Sequence, residues 1–438
     1  MGIRTWSDGI LLFSGVLLTF APLFRAQAQD VDVPGNLTMH DSTDPTVGNI
    51  LKEGVRFLHN SGTNNTFLGS FAGNFTMSGG NNTGTGLSAL QANTTGMSNT
   101  ASGVGALQSN TTGNFNTATG RDAMVTNTTG SFNTASGVAA LFGNTTGQDN
   151  AAYGLSALAS NTTGSDNTAT GANALSNNTS ASYNTATGWG ALAFNSTGAA
   201  NNATGHSALH SNATGNYNVA DGVNALGSNV TGDNSTAVGG EALFNNYSGG
   251  DNTAIGRRAL YNQFIGSFNT ALGSGADVFG VNLTNATAIG AGAIVNDSNK
   301  IRFGNSAVTV IEGEVPYTYT SDRNKKENFR GVDAETVLIK LRGLSVASWN
   351  YKGQDPKQFR HYGPVAQDFF AAFGQDAVGT IGTPTTITSG DLDGILMLAT
   401  QALERRTVEQ EKEIAELKAR LEALERRSRD VANVSAGF

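Results

Sequence analysis

Residues 99–115 read NTASGVGALQSNTTGNF, and residues 116–132 read NTATGRDAMVTNTTGSF. The Asn that opens each unit recurs every 17 residues, and a Gly follows it four positions later in every unit. Ser235 is the only substitution of this Asn in the series at positions 65, 82, 99, 116, 133, 150, 167, 184, 201, 218, 235, 252 and 269. Thirteen units with no insertion between them predict a solenoid.

The residue pattern within the unit indicates which kind of solenoid. Thr, Val and Ala alternate over short stretches and Gly closes each stretch, so we expect two short strands and two turns per unit. No apolar stripe with a period of 3.6 residues is present, which argues against helical repeats. At a strand spacing of about 4.8 Å per coil, the thirteen units within residues 64–298 would form a parallel β-roll roughly 60 Å long.

A regular ladder of large apolar residues runs through these units. One coil of 17 residues encloses little core, and burying a Leu contributes about 1.5–3 kcal/mol. Eleven exposed copies would make a single chain prone to association, so we expect three chains to cover them in a homotrimer. The alternative is a monomeric coil with the ladder inside. The ladder consists of Leu90, Leu107, Met124, Leu141, Leu158, Leu175, Leu192, Leu209, Leu226, Leu243 and Leu260.

The composition narrows the function classes. The 438 residues include 56 Gly and only 14% charged residues, which is typical of a repeat architecture. Residues 1–316 carry a net charge of −8, from 9 basic and 17 acidic residues, whereas residues 317–438 hold 17 of each. No basic patch is available to neutralise a phosphate backbone, so a nucleic-acid partner is not expected. The chain has no cysteine, which excludes disulfides and thiolate metal sites, and we predict no cofactor.

The N-terminus predicts secretion. Arg4 precedes an apolar stretch over residues 9–22, and the small residues at 26–28 form a cleavage site, so residues 1–28 read as a signal peptide. The alternative is an uncleaved anchor. The apolar stretch is shorter than a membrane span, and no later segment reaches the required length. We therefore expect a secreted, extracellular or cell-surface protein, in which residues 29–63 form an N-terminal cap.

Two residue pairs in the repeats have spacings found in catalytic or metal-binding sites. Asp149 and Asp166 are one coil apart, about the 5 Å at which a retaining glycosidase holds its two carboxylates. No basic or aromatic partner recurs beside them, so solvated ladder positions are the favoured interpretation. His206 and His210 are four residues apart, a metal-binding spacing on a helix. In a strand-turn unit without Glu, exposed polar positions are favoured instead.

Thr pairs at Thr117 and Thr119 and in many other units could form the flat face of an ice-binding solenoid, although residues 151–153 and 219–221 interrupt the pattern. Triplets such as residues 93–95 match a glycosylation acceptor, but the repeat generates them automatically. An ice- or glycan-binding solenoid with a non-cleaving trimerisation domain is therefore the alternative function.

The Asn-Thr-Ala-Thr-Gly-x-x-Ala-Leu unit resembles the head repeats of trimeric autotransporter adhesins and of some phage tail fibres over residues 64 to about 295. This resemblance implies a trimeric left-handed β-roll. Residues 299–313 resemble the neck that closes such heads, and we assign residues 299–316 to it. The 17-residue period is longer than the commonest head repeat. A surface glycan is a possible ligand of such a fibre.

Residues 317–438 read as a small α+β domain. Residues 334–341 are helix-like, residues 345–351 strand-like and residues 365–373 helical, and a longer helix follows. Its heptad pattern over residues 391–428 predicts a coiled coil, whose a and d positions are Leu396, Leu403, Ile414, Leu417, Leu421 and Leu424. The heptads permit two, three or four strands, and the trimer follows from the apolar ladder of the repeats.

Ser321 and Lys326 stand at the boundary between the two compositions. A lysine that burial keeps neutral can take the proton of a serine, whose Oγ then attacks a carbonyl carbon. Residues 321–328 and 360–368, with the terminal coiled coil, resemble the self-cleaving intramolecular chaperone of endosialidase tailspikes over residues 317 to about 425. Pro364 replaces the apolar residue usual in that family. A degenerate assembly domain that no longer cuts is the alternative.

The resemblance implies that the domain trimerises a β-fibre and then cuts itself off between Ser321 and Asp322, with Ser321 and Lys326 in the catalytic roles. Within one chain, Ser321 Oγ reaches the Thr320 carbonyl through a five-membered ring and its own carbonyl only through a four-membered one. Attack from a neighbouring chain removes this difficulty. The sequence thus predicts a secreted, adhesin-like homotrimeric fibre with a single-turnover serine endopeptidase.

Overall fold

A computed structural model describes residues 49–52, 54–308, 310–312, 314, 321–352, 354–376 and 379–435. The predicted signal peptide and most of the predicted cap lie outside these residues. The chain divides into two compact units between Val308 and Thr309. Within the described ranges, no helix is both long and apolar enough to cross a bilayer.

The first unit begins with an antiparallel hairpin and continues as a stack of parallel strands. The hairpin strands are Ile50–Lys52 (β1) and Val55–His59 (β2), and β2 pairs antiparallel with β3. The strands from β3 to β15 have three residues each and repeat every 17 residues. They are Thr66–Leu68, Thr83–Thr85, Thr100–Ser102, Thr117–Thr119, Thr134–Ser136, Ala151–Tyr153, Thr168–Thr170, Thr185–Thr187, Asn202–Thr204, Val219–Asp221, Thr236–Val238, Thr253–Ile255 and Thr270–Leu272.

The register confirms the predicted parallel solenoid of 17-residue repeats. Each strand residue lies beside its own copy in the next coil, as Thr117 does beside Thr134. The 17-residue period ends near the C-terminal end of this first unit. Strands Asp277–Val278 (β16) and Ile294–Val295 (β18) keep the 17-residue offset, but Thr287–Ile289 (β17) pairs with Ile301–Phe303 (β19) at an offset of 14. The shortened coil ends where the predicted neck begins, at residues 299–301.

Each regular coil contains one strand and not the two that we expected. The second side of the coil carries the apolar ladder, and the ladder residues have left-handed backbone conformations, as in Leu107 with φ of 52° and Met124 with φ of 51°. A left-handed conformation costs an ordinary residue roughly 1–2 kcal/mol, and it is incompatible with an extended strand. Burial of the side chain, about 1.5–3 kcal/mol, offsets that cost.

The apolar ladder is buried inside the single chain. The ladder residues from Leu90 to Leu260 are all 0% exposed, and they pack with the central strand alanines, such as Ala118 and Ala135, in one core. The prediction that a trimer is needed to cover these leucines is therefore wrong. The reason is that Ala and Gly at the neighbouring inward positions leave enough space within a 17-residue coil for one Leu.

Two ladders of buried Asn satisfy the polar groups of the coil. Asn116 Nδ2 donates to Asn99 Oδ1 at 3.1 Å and to the Gly130 carbonyl at 2.8 Å, while Asn116 Oδ1 accepts from the Asn133 amide at 3.0 Å. In the second ladder, Asn178 Nδ2 donates to Asn161 Oδ1 and to the carbonyl of residue 181. Each Asn thus replaces hydrogen bonds that water supplies in an unfolded chain.

The N-terminal end of the core is closed by an aromatic plug. Phe67 occupies the inward position that Ala holds in later strands and is fully buried. Gly84 stands opposite, because a Cβ there would lie 2.7 Å from the Phe67 ring. His59 in β2 is 2% exposed, and its Nε2 donates to the Ala72 carbonyl at 2.6 Å. Its ring stacks on Phe75 with centroids 4.7 Å apart.

The second unit is α+β, as predicted. Its elements are a 3-10 helix Arg323–Lys325, the helix Ala334–Gly343 (α1), an antiparallel pair Ala347–Trp349 (β20) and His361–Gly363 (β21), and the helices Ala366–Phe373 (α2) and Ser389–Ser435 (α3). Asp333 caps α1 by accepting hydrogen bonds from the amides of residues 335 and 336. The core contains Val337, Phe369, Phe373 and Ile395, and beyond this core α3 is exposed.

Candidate functional site

The segment from Ser321 to Lys326 folds into one tight turn. Asp322 caps the 3-10 helix, because its carboxylate accepts a hydrogen bond from the Asn324 amide at 2.9 Å. The Lys326 amide then donates to the Arg323 carbonyl at 3.2 Å. This turn brings together two side chains that are five residues apart in the sequence.

Lys326 Nζ lies 2.6 Å from Ser321 Oγ, so the structure places the two predicted catalytic side chains in direct contact. Both residues are exposed. A charged ammonium donates this hydrogen bond, whereas a general base must be neutral to accept the proton of the hydroxyl, and burial favours the neutral form of a lysine. The single chain therefore brings the two side chains of the dyad within hydrogen-bonding distance but does not bury Lys326.

The predicted junction between Ser321 and Asp322 is exposed in the same turn. The capping hydrogen bond fixes the side of the bond that would leave as the new N-terminus. The other candidate bond, between Thr320 and Ser321, lies outside the described residues.

An aromatic cluster that the sequence did not reveal lies where β20 pairs with β21. Trp349 stacks on His361 with ring centroids 4.8 Å apart, and Tyr351 meets Trp349 edge-on at 5.0 Å. Trp349 Nε1 and His361 Nε2 are both buried without a hydrogen-bond partner. A groove of about 540 Å³ borders the cluster, lined by Trp349, Tyr351 and residues 364–367 and 385–387. The strand-like alternation of residues 347–351 was the signal that could have indicated it.

The heptad residues of α3 are exposed along the helix. Leu417, Leu421 and Leu424 are 62%, 58% and 61% exposed. Only the first part of α3 is anchored: Arg406 forms an ion pair with Glu335 of α1 at 2.7 Å, and Ile395 is buried in the core of the unit.

The residue pairs considered in the repeats show no catalytic arrangement. Asp149 and Asp166 are exposed ladder positions. His206 stacks on Trp189, and His210 packs against Phe194. Burial and the neighbouring His206 lower the pKa of His210. Across the described part of the chain, no group of three or more His, Cys, Asp or Glu side chains is placed to hold a metal ion.

The glycosylation triplets place their Asn inside the coil. Asn93 and Asn127 are 0% exposed, and each side-chain amide donates to a Gly carbonyl three residues later. An enzyme cannot reach these amides once the coil has formed.

Comparison with protein families identifies the C-terminal unit as similar to a known one. A family described as the chaperone of endosialidase, peptidase family S74, matches residues 321–378. The matched segment begins at Ser321 and includes Lys326, α1, the aromatic cluster and α2. This peptidase family is a self-cleaving one. No curated protein matches the chain.

Proposed function

We propose that this chain is a secreted, adhesin-like fibre protein that assembles as a homotrimer and then removes its C-terminal unit by one autoproteolytic cut. Ser321 is the nucleophile and Lys326 the general base. The observation that carries the proposal is the 2.6 Å contact between their side chains at the start of the segment that matches the endosialidase chaperone.

The apolar surface of α3 supports assembly of several copies. Leu417, Leu421 and Leu424 recur at heptad spacing and are exposed in the single chain. Such a seam is stable in water when other helices cover it, as in a coiled coil. The chaperone resemblance favours three copies.

Assembly also provides the condition that the dyad lacks. Packing of a second chain against the turn of residues 321–326 would exclude water, so that Lys326 loses its proton more readily. The neutral amine of Lys326 then takes the hydroxyl proton of Ser321 as Oγ attacks the carbonyl carbon of the peptide bond that is cut. An ester replaces the peptide bond, the leaving amine takes the proton, and water hydrolyses the ester. Cutting after assembly ensures that only assembled fibres are released.

A denaturing gel of the purified full-length chain tests the proposal. The wild type should give two fragments that divide at Ser321, whereas Ser321→Ala and Lys326→Ala should remain full-length. Lys325→Ala is the matched control, since Lys325 is also exposed and does not contact Ser321. Mass spectrometry of the smaller fragment identifies the bond: Asp322 at its N-terminus places the cut after Ser321, and Ser321 at its N-terminus places the cut before it.

Light scattering separates the two parts of this proposal. Uncut wild-type chains in a trimer would contradict the cleavage and leave the assembly intact, whereas wild-type monomers would contradict the assembly. A glycan array probed with the released fibre tests the predicted surface ligand.

A second candidate function rests on the outward face of the strands. In each regular coil the middle strand residue is buried, so the first and third strand residues, such as Thr117 and Thr119, face outward. Across β3 to β15 the first residue is Thr in ten of the thirteen strands, and the third is Thr or Ser in seven. Two columns of hydroxyls and methyls at regular spacing could bind ordered water. Thermal hysteresis of the protein solution tests this function, and its absence would remove it.

A further inference from the structure

One outward column of the solenoid changes its chemistry along the stack. It contains the third residue of each strand. From β4 to β12 this residue is mostly Thr or Ser, and the column reaches Asp221. From β13 onward it is apolar in five successive coils, which the strand register places side by side: Val238, Ile255, Leu272, Ile289 and Phe303. We name these five residues the apolar column.

The apolar column is open to solvent in the single chain. Val238, Ile255, Leu272 and Phe303 are 37%, 41%, 47% and 55% exposed, and Ile289 is half-buried. The strands from β13 to β15 and β17 contain no charged residue. Five apolar residues side by side over five coils, about 20 Å of stack at the usual strand spacing, form a continuous patch of the kind that marks an interaction surface.

We propose that the apolar column is the contact through which the solenoids of three copies of this chain pack around a common axis. This inference rests on the proposed homotrimer and assigns its interface on the fibre. Around a cyclic axis, a column residue of one copy faces the same residue of the other copies. A column can therefore form the contact only if each of its residues can pack against identical residues.

This self-matching requirement explains where the column begins. Asp221 lies one coil before Val238 in the same column, and at a common axis it would bring three carboxylates together, which electrostatic repulsion opposes. From Val238 to Phe303, each column residue would meet its own uncharged copies from the other chains. Arg257, two residues after Ile255, is exposed and provides a charged border to the patch.

The position of the column in the sequence favours copies of this chain over other partners. Only residues 304–320 separate Phe303 from Ser321, where the segment that matches the assembly chaperone begins. When a chaperone brings three C-terminal units together, the solenoid coils closest to it in the sequence are held at the highest local concentration. The apolar column occupies those coils.

The absence of cysteine from the chain allows a direct test by disulfide trapping. Ile255→Cys places one thiol per chain in the column, and Ser248→Cys places one at an exposed position just before the same coil. Dissolved oxygen with a copper catalyst oxidises two thiols to a disulfide only where the Cβ atoms approach to about 4 Å. We expect chains linked in pairs for Ile255→Cys at least about tenfold faster than for Ser248→Cys, on a non-reducing gel.

Light scattering of the same samples distinguishes the possible failures. A trimer whose Ile255→Cys form links no faster than Ser248→Cys overturns the apolar column as the contact and leaves the proposed assembly standing. A monomer overturns the proposed assembly, and this inference with it.

Introducing a charge into the column provides an independent check. Ile255→Asp places a carboxylate in the column, as Asp221 does one coil earlier, and should weaken the association of the full-length chains about tenfold or more in dissociation constant. Thr187→Asp, in the polar part of the same column, is the control and should leave association unchanged. Equal weakening by both variants overturns the assignment of the contact to these five coils, and so does no weakening by either.

Discussion

Leu158 of the solenoid and Leu421 of α3 both belong to regular leucine repeats, but their surroundings differ completely. Leu158 is 0% exposed within one chain, whereas Leu421 is 58% exposed. The solenoid coil wraps around its own leucines, while a single straight helix cannot cover its own seam. The comparison teaches that a leucine repeat alone does not show whether its own chain buries the leucines.

The polar groups of the two units differ in the same way. In the solenoid, buried side chains such as Asn116 find partners on the coils before and after, and Asn246 Oδ1, where Gln263 replaces the next Asn of its ladder, is an exception. In the C-terminal unit, Trp349 Nε1 and His361 Nε2 are buried without partners. The solenoid therefore satisfies most of its buried polar groups within one chain, whereas the C-terminal unit leaves two buried ring nitrogens without hydrogen-bond partners.

The largest expected effect concerns the exposed seam. Leu417→Lys with Leu421→Lys should abolish the trimer of the full-length chain, because lysines at a and d positions bring like charges together in a coiled coil. The melting temperature of the solenoid, followed by circular dichroism at the strand signal, should stay unchanged. Ala415→Lys with Ala419→Lys, on the same helix outside the seam, is the control. A trimer that survives the seam variant would contradict this contrast between the two units.

The next effect concerns the buried Asn ladder. Asn178→Asp replaces an amide that donates to Asn161 Oδ1 at 2.8 Å with a carboxylate that faces this oxygen. We expect a loss of about 3–5 kcal/mol in the free energy of unfolding at neutral pH, as for other uncompensated buried charges. Part of the loss should be recovered in acid, where the carboxyl is protonated.

The neighbouring residue provides the control for this substitution. Asn177→Asp, one residue earlier and exposed, should change the free energy of unfolding by less than about 0.5 kcal/mol. Equal urea midpoints for Asn178→Asp and Asn177→Asp would show that the ladder does not carry the stability of the coil.

A smaller effect of the same kind is expected from the apolar ladder. Leu158→Ala should lower the free energy of unfolding by about 2–5 kcal/mol, since it removes a buried side chain and leaves a cavity. Leu155→Ala, at a position 54% exposed in the same coil, should have little effect. The urea midpoints of the two variants measure the difference. If both variants were equally stable, the leucines would not be buried in the way that the structure shows.

The smallest effect is a pH response of the N-terminal cap. Burial is the main cause of the lowered pKa of His59. The unfolded chain then binds a proton more readily than the folded one, so the stability present above pH of about 6.5 is lost as the pH falls toward the lowered value.

Hydrogen exchange measures this response. The amides of β2 and β3 should exchange a few-fold faster relative to those of β9 as the pH is lowered, after correction for intrinsic rates. His59→Gln should remove the change, whereas His206→Gln, at an exposed position, should keep it. A cap that opens equally at every pH would contradict the role of His59.

Much of the fold followed from the sequence because the repeat is strict. The Asn at every seventeenth position predicted the parallel stack of coils, and the helix-like pattern of residues 334–341 predicted α1. The number of strands per coil was wrong, because local patterning does not reveal that Leu107 adopts a left-handed conformation. The trimer argument from the ladder was wrong for a related reason: the inside and outside of a coil depend on how the whole chain closes.

The sequence also identified Ser321 and Lys326 as a pair, through their spacing and the resemblance of the surrounding residues. The tertiary structure brought Lys326 Nζ to within 2.6 Å of Ser321 Oγ, since the capped 3-10 turn decides where a side chain five residues away points. It likewise decided that the leucines of the coil are inside, and that the apolar residues from Val238 to Phe303 lie side by side on its outward face. Sequence periodicity determines which residues are equivalent, whereas the closure of the chain in space determines what those residues face.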